Sequence, residues 1–238
     1  MINSIIIITM EMEPKRVINK YHFLLQSTLI ILNTLMLMRV IFTFTFHRKI
    51  THETIWSFVL SSFYLIFIFI TDANLFLFNS TKLERFNSFI RNSYSIIAYS
   101  YCYSITIEFW LILFCGITFG KNPFAGKKVV TRTIVLESLY LHLGITIVMV
   151  IDLIFTKRKI ENKNWNNKIL LVINLIYFCY SIVVLCANYV FFMPAYPFME
   201  NAGPGLMILV FVISFILINS CFYLHLFLVR KLNREKLI

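Results

Sequence analysis

Residues 169–192 read Ile-Leu-Leu-Val-Ile-Asn-Leu-Ile-Tyr-Phe-Cys-Tyr-Ser-Ile-Val-Val-Leu-Cys-Ala-Asn-Tyr-Val-Phe-Phe, and this stretch decides the fold class. A helix of this length is apolar on every face, and about 20 such residues suffice to cross roughly 30 Å of hydrocarbon. Strands of a membrane barrel would instead alternate apolar and polar positions over about 10 residues. Backbone N–H and C=O groups in lipid must be satisfied within the segment itself, which a helix does. Comparable runs occupy 21–44, 54–78, 93–119, 133–155 and 206–229, each followed by a polar break. The expectation is an all-α fold: one polytopic membrane helix bundle over residues 1–238 with about six transmembrane helices.

Composition agrees. The 238 residues are 59% hydrophobic and 14% charged, with 25 Phe and a mean hydropathy of +0.80, against about 45–50% apolar and 25% charged in soluble domains. The net charge of +11 would suggest nucleic acid for a soluble chain. Here the basic residues sit in short breaks between spans, where they set orientation and meet anionic headgroups. Membrane lipids are therefore the expected partners, without nucleic acid, and the sequence names no protein partner. Cys102, Cys115, Cys179, Cys186 and Cys221 all fall in apolar runs without metal-ligand spacing, which reads as buried thiols acting as small hydrophobes. The apolar run at 5–8 is too short for a signal peptide, and acids follow it, so the first span is expected to act as the targeting signal.

Lys and Arg number 15 on the side of the two termini and 6 opposite, which puts both termini in the cytosol because short basic loops are retained there. The sequon Asn79-Ser80-Thr81 then faces the cytosol and should stay unglycosylated. Arg234 and Lys236, five and three positions from the end, resemble a dibasic retrieval signal as well as a plain cytosolic anchor. The location expected is the endoplasmic reticulum or the plasma membrane.

An ionisable side chain in a span costs about 2.5–3.5 kcal/mol on insertion scales and needs a partner, a cavity or a function. Arg39, Asp72 and Asp152 lie near span ends, where interface positions account for them. Glu108 and His142 are central. At 1.5 Å per residue they stand about 16 and 14 Å below the same face, so they share a depth. The alternative for His142 is a hydrogen bond one turn away to Ser138 or Thr146. No HExxH, GxSxG, Walker or Cys/His motif is present, so no metal or cofactor is implied.

The segment Tyr196-Pro197-Phe198-Met199-Glu200-Asn201-Ala202-Gly203-Pro204-Gly205 before the last span, Phe109-Trp110 in the third, and a His ten residues before an acid in the fourth together resemble the androgen-induced protein family, which includes the androgen-dependent regulator of tissue factor pathway inhibitor. The resemblance runs from about residue 54 to 219. It implies a multipass hydrolase of fatty acid esters of hydroxy fatty acids that uses an intramembrane threonine and histidine. The family's threonine, followed some 17 residues later by Thr-Asp, falls on Thr54 with Thr71-Asp72. Its catalytic histidine falls on His142 with Asp152 as the acid, and Asn219 matches a family asparagine. Leu139 and Asn188-Tyr189 stand where the family often carries further histidines.

A threonine hydroxyl needs a base within reach to accept its proton, and imidazole titrates near neutrality. Thr54 as nucleophile and His142 as base form a coherent dyad, and Glu108, by its depth, is the candidate to orient the base. One offset stands against it. If Asp72 and Asp152 mark the same interface, Thr54 and His142 are misaligned by about 12 Å along straight helices, which Ser61 or Ser62 as nucleophile would relieve. The cavity is expected to open to the non-cytosolic half of the bilayer. A non-catalytic membrane protein that binds lipid or a partner is the competing reading. A transporter or channel finds no paired broken helices or ring of acids.

Overall fold

The computed structural model describes residues 20–43, 52–78, 83–118, 139–156, 158–160, 162–192 and 203–235. All regular structure among them is helical. The helices are α1 (Lys20–Thr43), α2 (Glu53–Phe78), α3 (Glu84–Phe89), α4 (Ser95–Thr118), α5 (Ile145–Phe155), α6 (Lys163–Tyr189) and α7 (Pro204–Glu235). α3 runs into α4 through a π-helical turn at Ile90–Tyr94, and a second π turn at Tyr140–Gly144 leads into α5. The described chain thus forms six helical rods.

Three rods are long and apolar enough to cross a membrane: α2, α6 and the Pro204–Asn233 part of α7. Shorter apolar helices occupy Gln26–Phe42 and Tyr140–Phe155. The outward faces are apolar: Phe42, Phe78, Leu171 and Phe192 are all largely exposed, and a lipid solvent would cover them. This is a helical membrane protein.

α4 is the central rod, packed on α2, α5, α6 and α7, while α1 leans on α2 and α5. Two apolar clusters fill the bundle. One joins α1, α2, α4 and α5 around Phe58, Ile68, Tyr99 and Met149. The other joins α4, α6 and α7 around Tyr101, Ile173, Ile218 and Phe222.

Successive rods alternate in direction. Phe23 near the start of α1 stacks on Phe76 near the end of α2, with ring centroids 4.6 Å apart. Trp165 at the start of α6 donates its indole N–H to Ser93 at 2.8 Å, and Asn233 at the end of α7 donates to the Arg158 carbonyl at 2.8 Å. The two ends of the described chain therefore meet at one end of the bundle, here termed the basic end. Thr54 lies toward the other.

Three details depart from the sequence reading. Part of the break expected at 82–91 is helix, continuous with α4. α6 starts six residues before the apolar run, because Asn162 caps it by accepting from the Trp165 N–H at 2.9 Å. Only some of the cysteines are buried: Cys102 and Cys221 are, whereas Cys179 and Cys186 face outward. Beyond its first two turns the outer face of α6 is apolar, with Leu171, Leu175, Phe178 and Ile182 exposed, so a thiol there needs no burial. The side chain of Cys115 lies outside the described residues.

Candidate active site

Thr54 is the second residue of α2 and is buried. Ahead of it the His52 carbonyl accepts from the Ile55 and Trp56 N–H groups at 3.0 and 3.4 Å, which closes the first turn. The hydroxyl therefore stands at the positive end of the helix dipole.

His142 is the middle residue of the second π turn. Its ring lies flat against Phe109 of α4, with centroids 4.1 Å apart and planes 12° apart. Its carbonyl accepts from the Thr106 hydroxyl, which pins the turn to α4. Its Nδ1 is buried without a hydrogen-bond partner. The Thr146 hydroxyl, the described alternative partner, is engaged elsewhere, with Thr106 Oγ1 at 2.5 Å and Cys102 Sγ at 3.1 Å. Ser138 lies outside the described residues. His52, two residues before Thr54, is within electrostatic reach of His142.

The register of α2 against α5 bears on the 12 Å offset. Tyr64 donates to Asp152 Oδ2 at 2.6 Å, so Asp152 stands level with Tyr64 and not with Asp72, eight residues further along α2. Ten residues back from Tyr64 is Thr54, and ten back from Asp152 is His142. The Phe58 and Tyr140 rings meet edge to face at 6.2 Å, which keeps α2 beside the π turn. The 12 Å offset is reduced: by the Tyr64–Asp152 level Thr54 and His142 come out at about the same height, and by the Phe58–Tyr140 contact they differ by about six residues, roughly 9 Å. No hydrogen bond joins Thr54 to the buried Nδ1.

Glu108, next to Phe109, faces Ser214 of α7, and Glu53 is close enough to sense its charge. No hydrogen bond joins Glu108 to His142, whose ring packs on the neighbouring Phe109. The alternative nucleophiles differ from each other. Ser62 donates back to the Phe58 carbonyl at 2.7 Å, whereas the Ser61 hydroxyl, fully buried, faces Cys102. Asn219 donates to Asn174 Oδ1 at 3.1 Å and ties α7 to α6. Of the loop motif 196–205, only residues 203–205 lie among the described ones.

Asp72 and Asp152 need more than their positions near span ends to account for them. Both are buried and paired: Asp72 with Arg91 at 2.6 Å, and Asp152 with Arg158 at 2.5 Å. Asp152 also accepts from Tyr99 at 3.2 Å and Thr156 at 2.9 Å. Arg158 reaches the Tyr64 and Tyr99 hydroxyls at 2.7 and 2.9 Å. The rule that an acid in a span needs a partner pointed at these pairs. Which of three adjacent basic residues at 157–159 folds inward has no sequence signal.

Residues 17–233 match the family described as FAR-17a/AIG1-like protein. The chain belongs to that family. A comparison with curated proteins and another with solved structures found no match. For this FAR-17a/AIG1-like protein the family match spans all six rods. It therefore covers the π turn that carries His142, the head of α2 and the Asp152 cluster that sets their register. At the positions where the family often has further histidines, Leu139 is exposed, Asn188 is half-buried and Tyr189 is exposed.

Proposed function

We propose that this FAR-17a/AIG1-like protein is an intramembrane hydrolase of lipid esters, of the class of fatty acid esters of hydroxy fatty acids, with six transmembrane spans and both termini cytosolic. What supports the reading is a buried threonine at the N-terminus of α2 and, on the π turn packed against α2, a buried imidazole nitrogen without a hydrogen-bond partner. A nitrogen of this kind, in a lipid-facing bundle, is costly unless it is used.

In the reaction, Thr54 Oγ1 attacks the ester carbonyl while His142 accepts its proton. The tetrahedral oxyanion develops beside the positive end of α2, which favours negative charge. Collapse breaks the acyl–oxygen bond, and His142 returns the proton to the leaving hydroxy fatty acid. Water, deprotonated by His142, then cleaves the acyl-threonine, releasing the fatty acid and restoring the Thr54 hydroxyl. Phe109 holds the imidazole plane, and Glu108, its neighbour, acts on the base by its charge. The site opens toward the end of the bundle away from the basic cluster.

The test is labelling of purified protein with a fluorophosphonate probe, which reacts with activated hydroxyls, followed by mapping of the modified residue. Modification of Thr54 that disappears in His142→Ala supports the dyad. Modification of Ser61 would move the nucleophile about two turns along the same face of α2, and an unlabelled protein without turnover would leave lipid binding without hydrolysis.

A further inference from the structure

α6 and α7 carry a polar pair at the outer edge of their seam, well inside the apolar runs. Asn219 of α7 donates through Nδ2 to Asn174 Oδ1 of α6 at 3.1 Å and to the Phe215 carbonyl of its own helix at 2.8 Å. That uses both N–H bonds of Asn219. Its Oδ1 and the N–H bonds of Asn174 meet no further partner among the described residues. Neither side chain is sealed inside, since both are only half-buried. Exposed Ser220 returns its hydroxyl to the Ile216 carbonyl at 2.8 Å, and Tyr223, 60% exposed, adds a phenol one turn further on.

Helical spacing sets these groups in rows with apolar neighbours. Leu171, Asn174 and Phe178 follow one another at intervals of three and four on α6, as do Ile216, Asn219, Tyr223 and Phe227 on α7. Apart from the two asparagines, all of these are largely exposed. Lys168 on α6 and Arg230 on α7 mark where charge begins at the basic end. Asn174 lies six residues from the first and Asn219 eleven from the second, which is about 9 and 16 Å inward.

A carboxamide at that depth has no water to bond, and polar side chains in spans turn to the bundle interior or to a neighbouring helix. Phospholipid esters and phosphates stay at the headgroup level, so lipid does not reach down to these groups. Another protein does. What is offered is also self-complementary, with an open acceptor on Asn219 and open donors on Asn174. The two are bonded to each other and therefore share a depth. A two-fold axis along the membrane normal leaves depth unchanged, so it brings Asn174 of one copy opposite Asn219 of the other, and the reverse, in one operation. We propose that the outer face of α6 and α7 is the interface with a second copy of this chain, the two asparagine pairs bonding reciprocally while Leu171, Phe178, Ile216 and Phe227 pack around them. A single polar level in an apolar seam fixes register and the number of partners. The interface does not rest on ester hydrolysis, since Thr54 and His142 belong to α2 and to the π turn before α5.

The experiment reconstitutes the full chain, labelled at its C-terminus with a donor or an acceptor fluorophore, into phosphatidylcholine vesicles and follows energy transfer as the protein-to-lipid ratio rises. Wild type is expected to reach a plateau that unlabelled chain competes away. Asn174→Leu and Asn219→Leu are each expected to raise the ratio at half-saturation about tenfold, because symmetry removes two hydrogen bonds at once. Should these variants fail to fold, Ile216→Trp decides: it leaves the asparagine pair intact, blocks the seam by bulk and is expected to weaken association as strongly. Leu24→Trp, at an exposed position of α1, is expected to change nothing. The proposal is overturned if wild type stays monomeric at every ratio, or if the folded asparagine variants or Ile216→Trp associate like wild type. It is equally overturned if Leu24→Trp weakens association as much as they do. A chain monomeric in vesicles that captures a different membrane protein through this face in cells overturns it too, because the partner is then not a second copy.

Discussion

At the residue scale, the proposed dyad makes Thr54 and His142 one unit, so under that reading the loss of either should stop hydrolysis. Thr54→Ala and His142→Ala are each expected to abolish turnover of a branched fatty acid ester per correctly inserted molecule, with the double variant no worse than either single one. Glu108→Gln, next to the Phe109 that packs on His142, should lower activity without removing it. Wild-type turnover by Thr54→Ala would reject this nucleophile and favour Ser61. Asp152 belongs to a different kind of site. It accepts from Arg158, Tyr64, Tyr99 and Thr156, so Asp152→Asn leaves a buried guanidinium without its counter-charge. Such a loss costs about 3–5 kcal/mol, and it should appear as a large drop in Tm in detergent. The proposed dyad came from the family resemblance, and Asp72 and Asp152 were accounted for by their positions near span ends, with no partner named. The partners were not legible in the sequence, because Tyr64, Tyr99 and Arg158 look like ordinary span and loop residues until the rods are packed. For the same reason the supposed misalignment of the dyad rested on pairing the wrong levels of α2 and α5.

At the scale of elements, two π turns carry buried or partly buried polar residues. Ile90–Tyr94 carries Arg91 and Asn92, and Tyr140–Gly144 carries His142. A π turn inserts one residue into the helical repeat and re-aims the side chains around it, a device common at functional sites. Hydropathy does not register it, since the extra residue is as apolar as its neighbours. Gly144 ends the second turn, and a Cβ there would stand 2.7 Å from the Tyr140 ring. Gly144→Ala is therefore expected to displace Tyr140 at a cost of about 1–3 kcal/mol and to lower kcat by moving His142, which thermal unfolding and ester turnover would report together. Asn162→Ala offers the contrast. It removes the α6 cap at a cost of about 1 kcal/mol, far from the π turn, and should lower Tm while kcat stays the same. A fall in kcat with Asn162→Ala, or none with Gly144→Ala, would separate the turn from the chemistry.

At the scale of the whole molecule, alternating rod directions and charge bias address separate questions. Contacts such as Phe23 with Phe76 and Asn233 with the Arg158 carbonyl put the two described ends together, which an even number of crossings requires. The proposal that they face the cytosol rests on the 15-to-6 distribution of Lys and Arg. Thr54 stands at the opposite end, so a substrate would reach it from the other leaflet. The test combines glycosylation with chemical access. Asn79 in its native sequon should remain unmodified, while a sequon inserted between Ala125 and Gly126 should acquire a glycan, seen as a glycosidase-sensitive gel shift. In intact cells, single cysteines at positions 54 to 61 should react with thiol reagents from the non-cytosolic side if they react at all. A glycan on Asn79, or labelling of those positions only from the cytosol, would invert the protein in the membrane. Thr54 would then lie toward the cytosolic leaflet, and a substrate would have to enter the site from that side.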